Sequence, residues 1–210
     1  MLTSIQEDVL KEYMNISVGD AANLLSEMLN KKINLKIPEV ELLPLNQGKE
    51  NLHKSLPDFL QGHLVSSSIK FGTKFNGIAH LIFPATKTKL LVNLCMGETA
   101  KDNDETNLTD ADFDAIREIG NIILNAIVGG LGNLLETRID YELPKVELIS
   151  LKEVKSDIES KEQNYLLIVH NNFLVENTKI KGSILVVLSM DSINYLVDKI
   201  DDIVVDIYGE

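Results

Sequence analysis

The chain repeats itself, and this constrains its fold more than any other feature. Glu12-Tyr-Met-Asn15 recurs as Glu118-Ile-Gly-Asn121, an offset of 106 positions, with Asp8 matching Asp114 and Pro38 matching Pro144. Phe75-Asn-Gly-Ile-Ala-His-Leu-Ile-Phe83 resembles Ile180-Lys-Gly-Ser-Ile-Leu-Val-Val-Leu188 at an offset of 105, so Gly77 corresponds to Gly182. A register that drifts by one residue over half a chain reads as duplication. Units of this size are poor in core when alone. The expectation is one domain over residues 1–210, made of two repeats at about 1–97 and 108–210. The acidic, polar stretch from Gly97 to Thr109 would join them as a surface linker.

Each unit has the same grammar. A capping signal near Thr3 or Ser4 opens a helix whose Leu10, Met14, Ser17, Ala21, Leu24 and Met28 fall at helical spacing, ending near Asn30. Alternation from Ile33 to Leu43 predicts a strand. Loop plus a short helix is expected over 52–63, and paired strands over 64–71 and 76–83. Pro84 suits the first turn of a helix reaching about Met96. In the second unit Thr109-x-x-Asp112 opens the long helix, with Phe113, Ile116, Gly120, Ile123, Ile127, Leu131 and Leu134 on its buried face. A strand over Ile139 to Ser150, a strand pair over 163–176 and 178–188, a helix near 190–200 and an edge strand from Ile203 to Tyr208 complete it. The class is α+β.

The shared polar pattern is Asp, three residues, Glu, two residues, Asn, twenty-two residues, Pro. Four specified residues match by chance at roughly one in 10⁵ starting positions. Spacings of four and three put Asp8, Glu12 and Asn15 on one helix face, and Asp114, Glu118 and Asn121 likewise. The apolar stripe through Leu10, Met14 and Leu24 points elsewhere, so an acid and a carboxamide are expected to project together from each exposed face. Asn is a mediocre helix former there, because its side chain competes for backbone partners. Pro38 and Pro144 read as structural.

These residues resemble the CheC/CheX/FliY phosphatases of bacterial chemotaxis, and most of all the CheC form with two motifs. Asn15-Ile-Ser-Val-Gly-Asp-Ala-Ala-Asn-Leu-Leu-Ser-Glu-Met-Leu-Asn-Lys-Lys32 reads like the first motif helix of that family, and Glu118-Ile-Gly-Asn121 with Ile122 to Leu135 like the second. The resemblance implies an internally duplicated CheC-like domain: a shared antiparallel sheet, with two long motif-bearing helices related by a pseudo-twofold. It implies hydrolysis of the phospho-aspartate of a CheY-like response regulator. The partner would bring its own Mg²⁺ and a Lys on the phosphoryl group, and the chain itself needs no cofactor. Asn15 and Asn121 would orient the attacking water, because a carboxamide both donates and accepts hydrogen bonds without titrating. Glu12 and Glu118 would pair with the partner's Lys, and Asp8 and Asp114 would support them or contact the partner's rim. CheD is a further partner class of the family, and two-motif members are commonly monomers. The alternative is a non-catalytic adaptor or flagellar-switch component, since FliM shares the domain type.

Composition bounds the rest. A net charge of −12 argues against nucleic-acid or anionic-membrane surfaces. The single cysteine, Cys95, allows no intrachain disulfide, and Met1 to Lys11 lacks a signal-peptide core, so a cytoplasmic protein is expected. The Gly129-Gly130-Leu131-Gly132 run reads as close helix packing, because it lacks the Lys-Ser/Thr ending of a phosphate loop. Asp102 to Thr106 lacks the Gly and Glu of a calcium loop. His53, His63, His80 and His170 show no ligand spacing, and Cys95 reads as a buried, inert thiol.

Overall fold

A computed structural model describes residues 2–45, 56–60, 62–97, 108–159, 164–175 and 178–209. Helix α1 runs Ser4–Leu29. Thr3 caps it: its hydroxyl accepts the Gln6 N–H at 3.3 Å, and the Gln6 side chain accepts the Thr3 N–H at 2.7 Å. The helix stops where Asn30 takes the left-handed conformation, φ 48°. Strands β1 (Ile33–Pro44), β2 (His63–Phe71) and β3 (Gly77–Pro84) follow, then helix α2 (Ala85–Met96). The second half brings α3 (Asp110–Leu134), β4 (Lys145–Ser150), α4 (Leu151–Glu159), β5 (Asn164–Val175), β6 (Thr178–Ser189) and α5 (Met190–Tyr208).

The six strands form one antiparallel sheet in the order β1-β5-β6-β3-β2-β4. Alternate strand residues, such as Val65, Leu81, Val169 and Val186, pack beneath Leu10, Met14 and Leu25 of α1 and Ile116, Ile123 and Leu131 of α3. Residues of the other parity, including Leu64, Ile82, Ile168 and Leu185, form a smaller cluster with Leu60 and Val154 on the opposite face. Gly130 sets the distance between the long helices, since a Cβ there would lie 2.1 Å from Ser17 Oγ. Close helix packing was the reading of that glycine run, and Gly130 performs it.

Several expectations change. The strand expected over Ile139–Ser150 forms only from Lys145. Before it, Gly72 N–H donates to Asp140 O at 2.8 Å and Glu142 N–H to Lys70 O at 2.9 Å, and the chain then leaves the sheet at Leu143-Pro144. A proline cannot donate to the ladder, and Pro38 at the matching place in β1 lies in a register shift between Lys36 and Glu39. Ile203 to Tyr208 is helix, because Ile203 and Val204 continue the apolar spacing of Leu196 and Ile200 against the core. The short helix α4 was not anticipated. Pro84 is the residue before α2 rather than inside its first turn. Residues 52–55 and 61 of the expected loop and short helix, and residues 98–107 of the expected linker with Asp102 to Thr106, lie outside the described residues. No described helix is long and apolar enough to cross a membrane.

Candidate functional site

Helices α1 and α3 lie side by side, Ser17 against Gly130, and carry the two polar triplets. Asp8 and Glu12 are exposed, as the helical spacing predicts, whereas Asn15 is half-buried. Its carboxamide does not project with Glu12. Asn15 Nδ2 donates to Lys11 O at 3.0 Å and to Ile37 O at 3.2 Å, while its Oδ1 accepts the Ile37 N–H at 3.0 Å. The register shift takes Ile37 and Pro38 out of the ladder with β5, and one side chain supplies both main-chain partners that Ile37 loses. This accounts physically for the Asn–Pro spacing in the first unit.

The second triplet is arranged differently. Asp114 and Glu118 are exposed, and Asp114 is ion-paired with Arg117. Asn121 is half-buried, and its Oδ1 accepts from Asn125 Nδ2 at 3.0 Å. Leu143 stands where Ile37 stands in the first unit, yet it is 90% exposed and Ile37 only 2%. The chain has left the sheet there, so among the described residues no main-chain group engages the Asn121 carboxamide. The two triplets thus present one carboxamide latched to a strand and one clear of it.

The start of α3 is held firmly, which fixes Glu118 and Asn121 in direction. Asp112 is buried and accepts from Lys89 Nζ at 2.8 and 2.9 Å, from the Thr109 N–H at 2.7 Å and from the Thr109 hydroxyl at 2.8 Å. Burial raises its pKa, but the bonds from Lys89 and Thr109, with the Lys89 charge, outweigh it and hold the carboxyl below the usual range. Ile16, next to Asn15, is 59% exposed, whereas Ile122, next to Asn121, is half-buried against the main core. An apolar residue adjoining a polar motif in both units was a signal that the sequence reading passed over. Cys95 is buried, and burial pushes its thiol up to about 11 against the opposing charge of Lys31, in keeping with an inert side chain. Residues able to converge on a metal lie elsewhere, at Glu39, Glu41 and His170.

Comparison with known proteins finds similarity to one family and to several of its relatives. The family model described as CheC-like family matches residues 5–42, which cover α1 and most of β1. The chain is 24% identical over 154 residues to the flagellar motor switch phosphatase FliY of Bacillus subtilis, a match spanning 73% of this chain and 38% of that protein. It is also 24% identical over 146 residues to the CheY-P phosphatase CheC of the same organism, spanning 68% of this chain and 66% of that one. In fold it is similar to Thermotoga maritima FliY, with a TM-score of 0.74 at 20% identity, covering 96% and 98% of the two chains. It is likewise similar to the chain matched in a FliM-SpeE complex from H. pylori, at 0.68 and 10% identity, covering 96% and 97%. The resemblance to the CheC-like family read from the motifs is thereby borne out, and the structural likenesses show a shared fold.

Proposed function

We propose that this CheC-like chain is a phosphatase acting on the phospho-aspartate of a CheY-like response regulator in chemotaxis, and that Glu118 and Asn121 form its working pair. The observation that carries this is an exposed carboxylate one helical turn from a carboxamide clear of the main chain. Relatives named as phosphatases support the reading. The fold does not decide it alone, because FliM chains share it.

Asn121 donates through its amide nitrogen and accepts through its oxygen, so it positions a water in line with the phosphoryl group. Glu118 pairs with a lysine at the partner's phosphorylated pocket and fixes the register of α3. A Mg²⁺ ion carried by the partner would neutralise charge on the phosphoryl oxygens. A hundredfold acceleration requires only about 2.7 kcal/mol, within reach of orientation alone. Asp114 supports the register from one turn earlier. The equivalent pair, Glu12 and Asn15, keeps its carboxylate available but uses its carboxamide to hold Ile37. An internal duplication would supply the frame, and the strand order supports it: exchanging β1, β2 and β3 for β4, β5 and β6 reverses that order onto itself.

Phosphate release from a phosphorylated CheY-like regulator tests this. Asn121→Ala should lose most of the activity while its urea midpoint stays near that of the parent. Asn15→Ala should retain more activity yet lose about 1–3 kcal/mol of stability, because buried Ile37 groups go unpaired. Full activity in the Asn121→Ala, Asn15→Ala double variant would remove the mechanism.

A further inference from the structure

On the sheet face turned away from α1 and α3, three side chains converge that take no part in either triplet. Glu39 and Glu41 come from β1 and His170 from β5, and one ligand atom of each lies within 4.8 Å of the others. His170 stands directly opposite Glu39 in the register, and its Nε2 is 3.2 Å from Glu41 Oε1. The bulge creates this grouping. Before it, Ile33, Leu35 and Ile37 face the main core; after it, Val40 and Leu42 do. Without the shift of parity, Glu39 and Glu41 would point inward. The bulge turns both acids onto the face of His170.

A second observation points to a ligand. Ser183 of β6 is the residue opposite His170 on its other side, and directly paired residues share a face. Ser183 is fully buried, and its Oγ has no hydrogen-bond partner among the described residues. A buried hydroxyl left unpaired costs stability unless something nearby meets it.

We propose that Glu39, Glu41 and His170 form a divalent transition-metal site, with Zn²⁺ as its ion. One imidazole and two carboxylates suit Zn²⁺, which binds nitrogen and oxygen at about 2.0–2.2 Å and leaves a fourth position for water. A tetrahedral ion at that distance sets its ligands about 3.4 Å apart. The His170–Glu41 pair is already there, and the exposed Glu39 side chain closes the rest by rotating. Ser183, paired with His170 in the register, stands on the same face of the sheet as the ion would. The ion would clamp β1, which among the described strands ends the sheet and pairs only with β5. It would act just beyond the bulge at which Asn15 holds Ile37.

Titration calorimetry of the tag-free chain with ZnCl₂ tests the proposal, together with the absorption of the Co²⁺ form. One saturable equivalent is expected, with a rise in melting temperature by mass action. His170→Ala and, separately, Glu39→Gln should each weaken binding at least about tenfold and alter the Co²⁺ spectrum, with circular dichroism unchanged. His63→Ala should bind as the parent does. Absence of saturable binding, retention of it in both variants, or equal binding of Mg²⁺ would overturn the site; the last outcome would mark a mere carboxylate cluster.

Discussion

Removing the Asn15 carboxamide leaves the N–H and C=O of Ile37 without partners, in a strand whose Leu35, Ile37 and Val40 side chains are buried. Removing that of Asn121 breaks one bond, to Asn125. The difference is set by the residue twenty-two positions on, which is in the sheet in one unit and out of it in the other. A side chain that satisfies buried backbone is not free for a partner, and this is why we assign the chemistry to Asn121. Asp112 shows the same economy in a charged group, because it closes the cap of α3 and neutralises Lys89 together. Its folded pKa is depressed, so its contribution is fully present above the unfolded value near 3.8 and is lost as pH falls through the folded value. Asp112→Asn should therefore cost about 2 kcal/mol at pH 7. That gap should shrink as the pH drops below about 4, because the parent loses the same charge. Urea midpoints of both proteins at pH 7 and pH 3 measure it, and an equal gap at both pH values would show that the charge contributes nothing.

At the scale of elements, the contact between α1 and α3 decides how the motifs are displayed. Ala at an exposed helical glycine gains about 1 kcal/mol in propensity. At Gly130 the added methyl group meets Ser17 Oγ at 2.1 Å and Ser17 Cβ at 2.9 Å, so Gly130→Ala should destabilise by about 1–3 kcal/mol. Adding Ser17→Gly should recover part of that loss; a single variant that gains stability would mean that the helices do not meet here. Much of this architecture was legible in the sequence, because capping boxes and long apolar stripes are local signals. The start of α3 and its buried face stand where Thr109 and Ile116 to Leu134 placed them. The end of α5 was misread, since Ile203-Val204-Val205 looks like a strand by composition while its spacing continues a helix. The short α4, rich in Lys and Glu, buries only Val154 among its described side chains and gave no stripe to follow. The turning of Asn15 onto β1 was beyond reach, because helical spacing places a side chain on a face without saying which backbone group across the gap has lost its partner. The two glutamates were legible because exposure follows from that spacing alone.

Across the whole molecule, the strand order makes each half depend on the other. Among the described strands, β1 of the first half pairs only with β5 of the second, and β4 of the second only with β2 of the first, while β3 and β6 pair at the centre from Gly77↔Leu188 to Ile82↔Ser183. Cutting the chain between residues 97 and 108 would strip β1 of its ladder and expose one side of β2 and β3. It would also leave α1 without α3 above an incomplete sheet. Such a half buries too little to offset the ordering of its backbone. We therefore expect one cooperative urea transition for the full chain, coincident by far-ultraviolet circular dichroism and by tyrosine fluorescence, the sequence having no Trp. Residues 1–97 alone should be unfolded or associated, and mixing them with residues 108–210 should restore the signal. Two separated transitions, or a stable folded 1–97 monomer, would show that the repeats are independent units. The dependence matters for the site because a docking helix works only if its pose is fixed. A sheet shared by both halves carries α1 over β1 and α3 over β2, β3 and β4, and the two helices pack on each other, so neither can tilt without straining the other. The partner then meets Glu118 and Asn121 already in place, and the cost of ordering them has been met in folding rather than in the encounter.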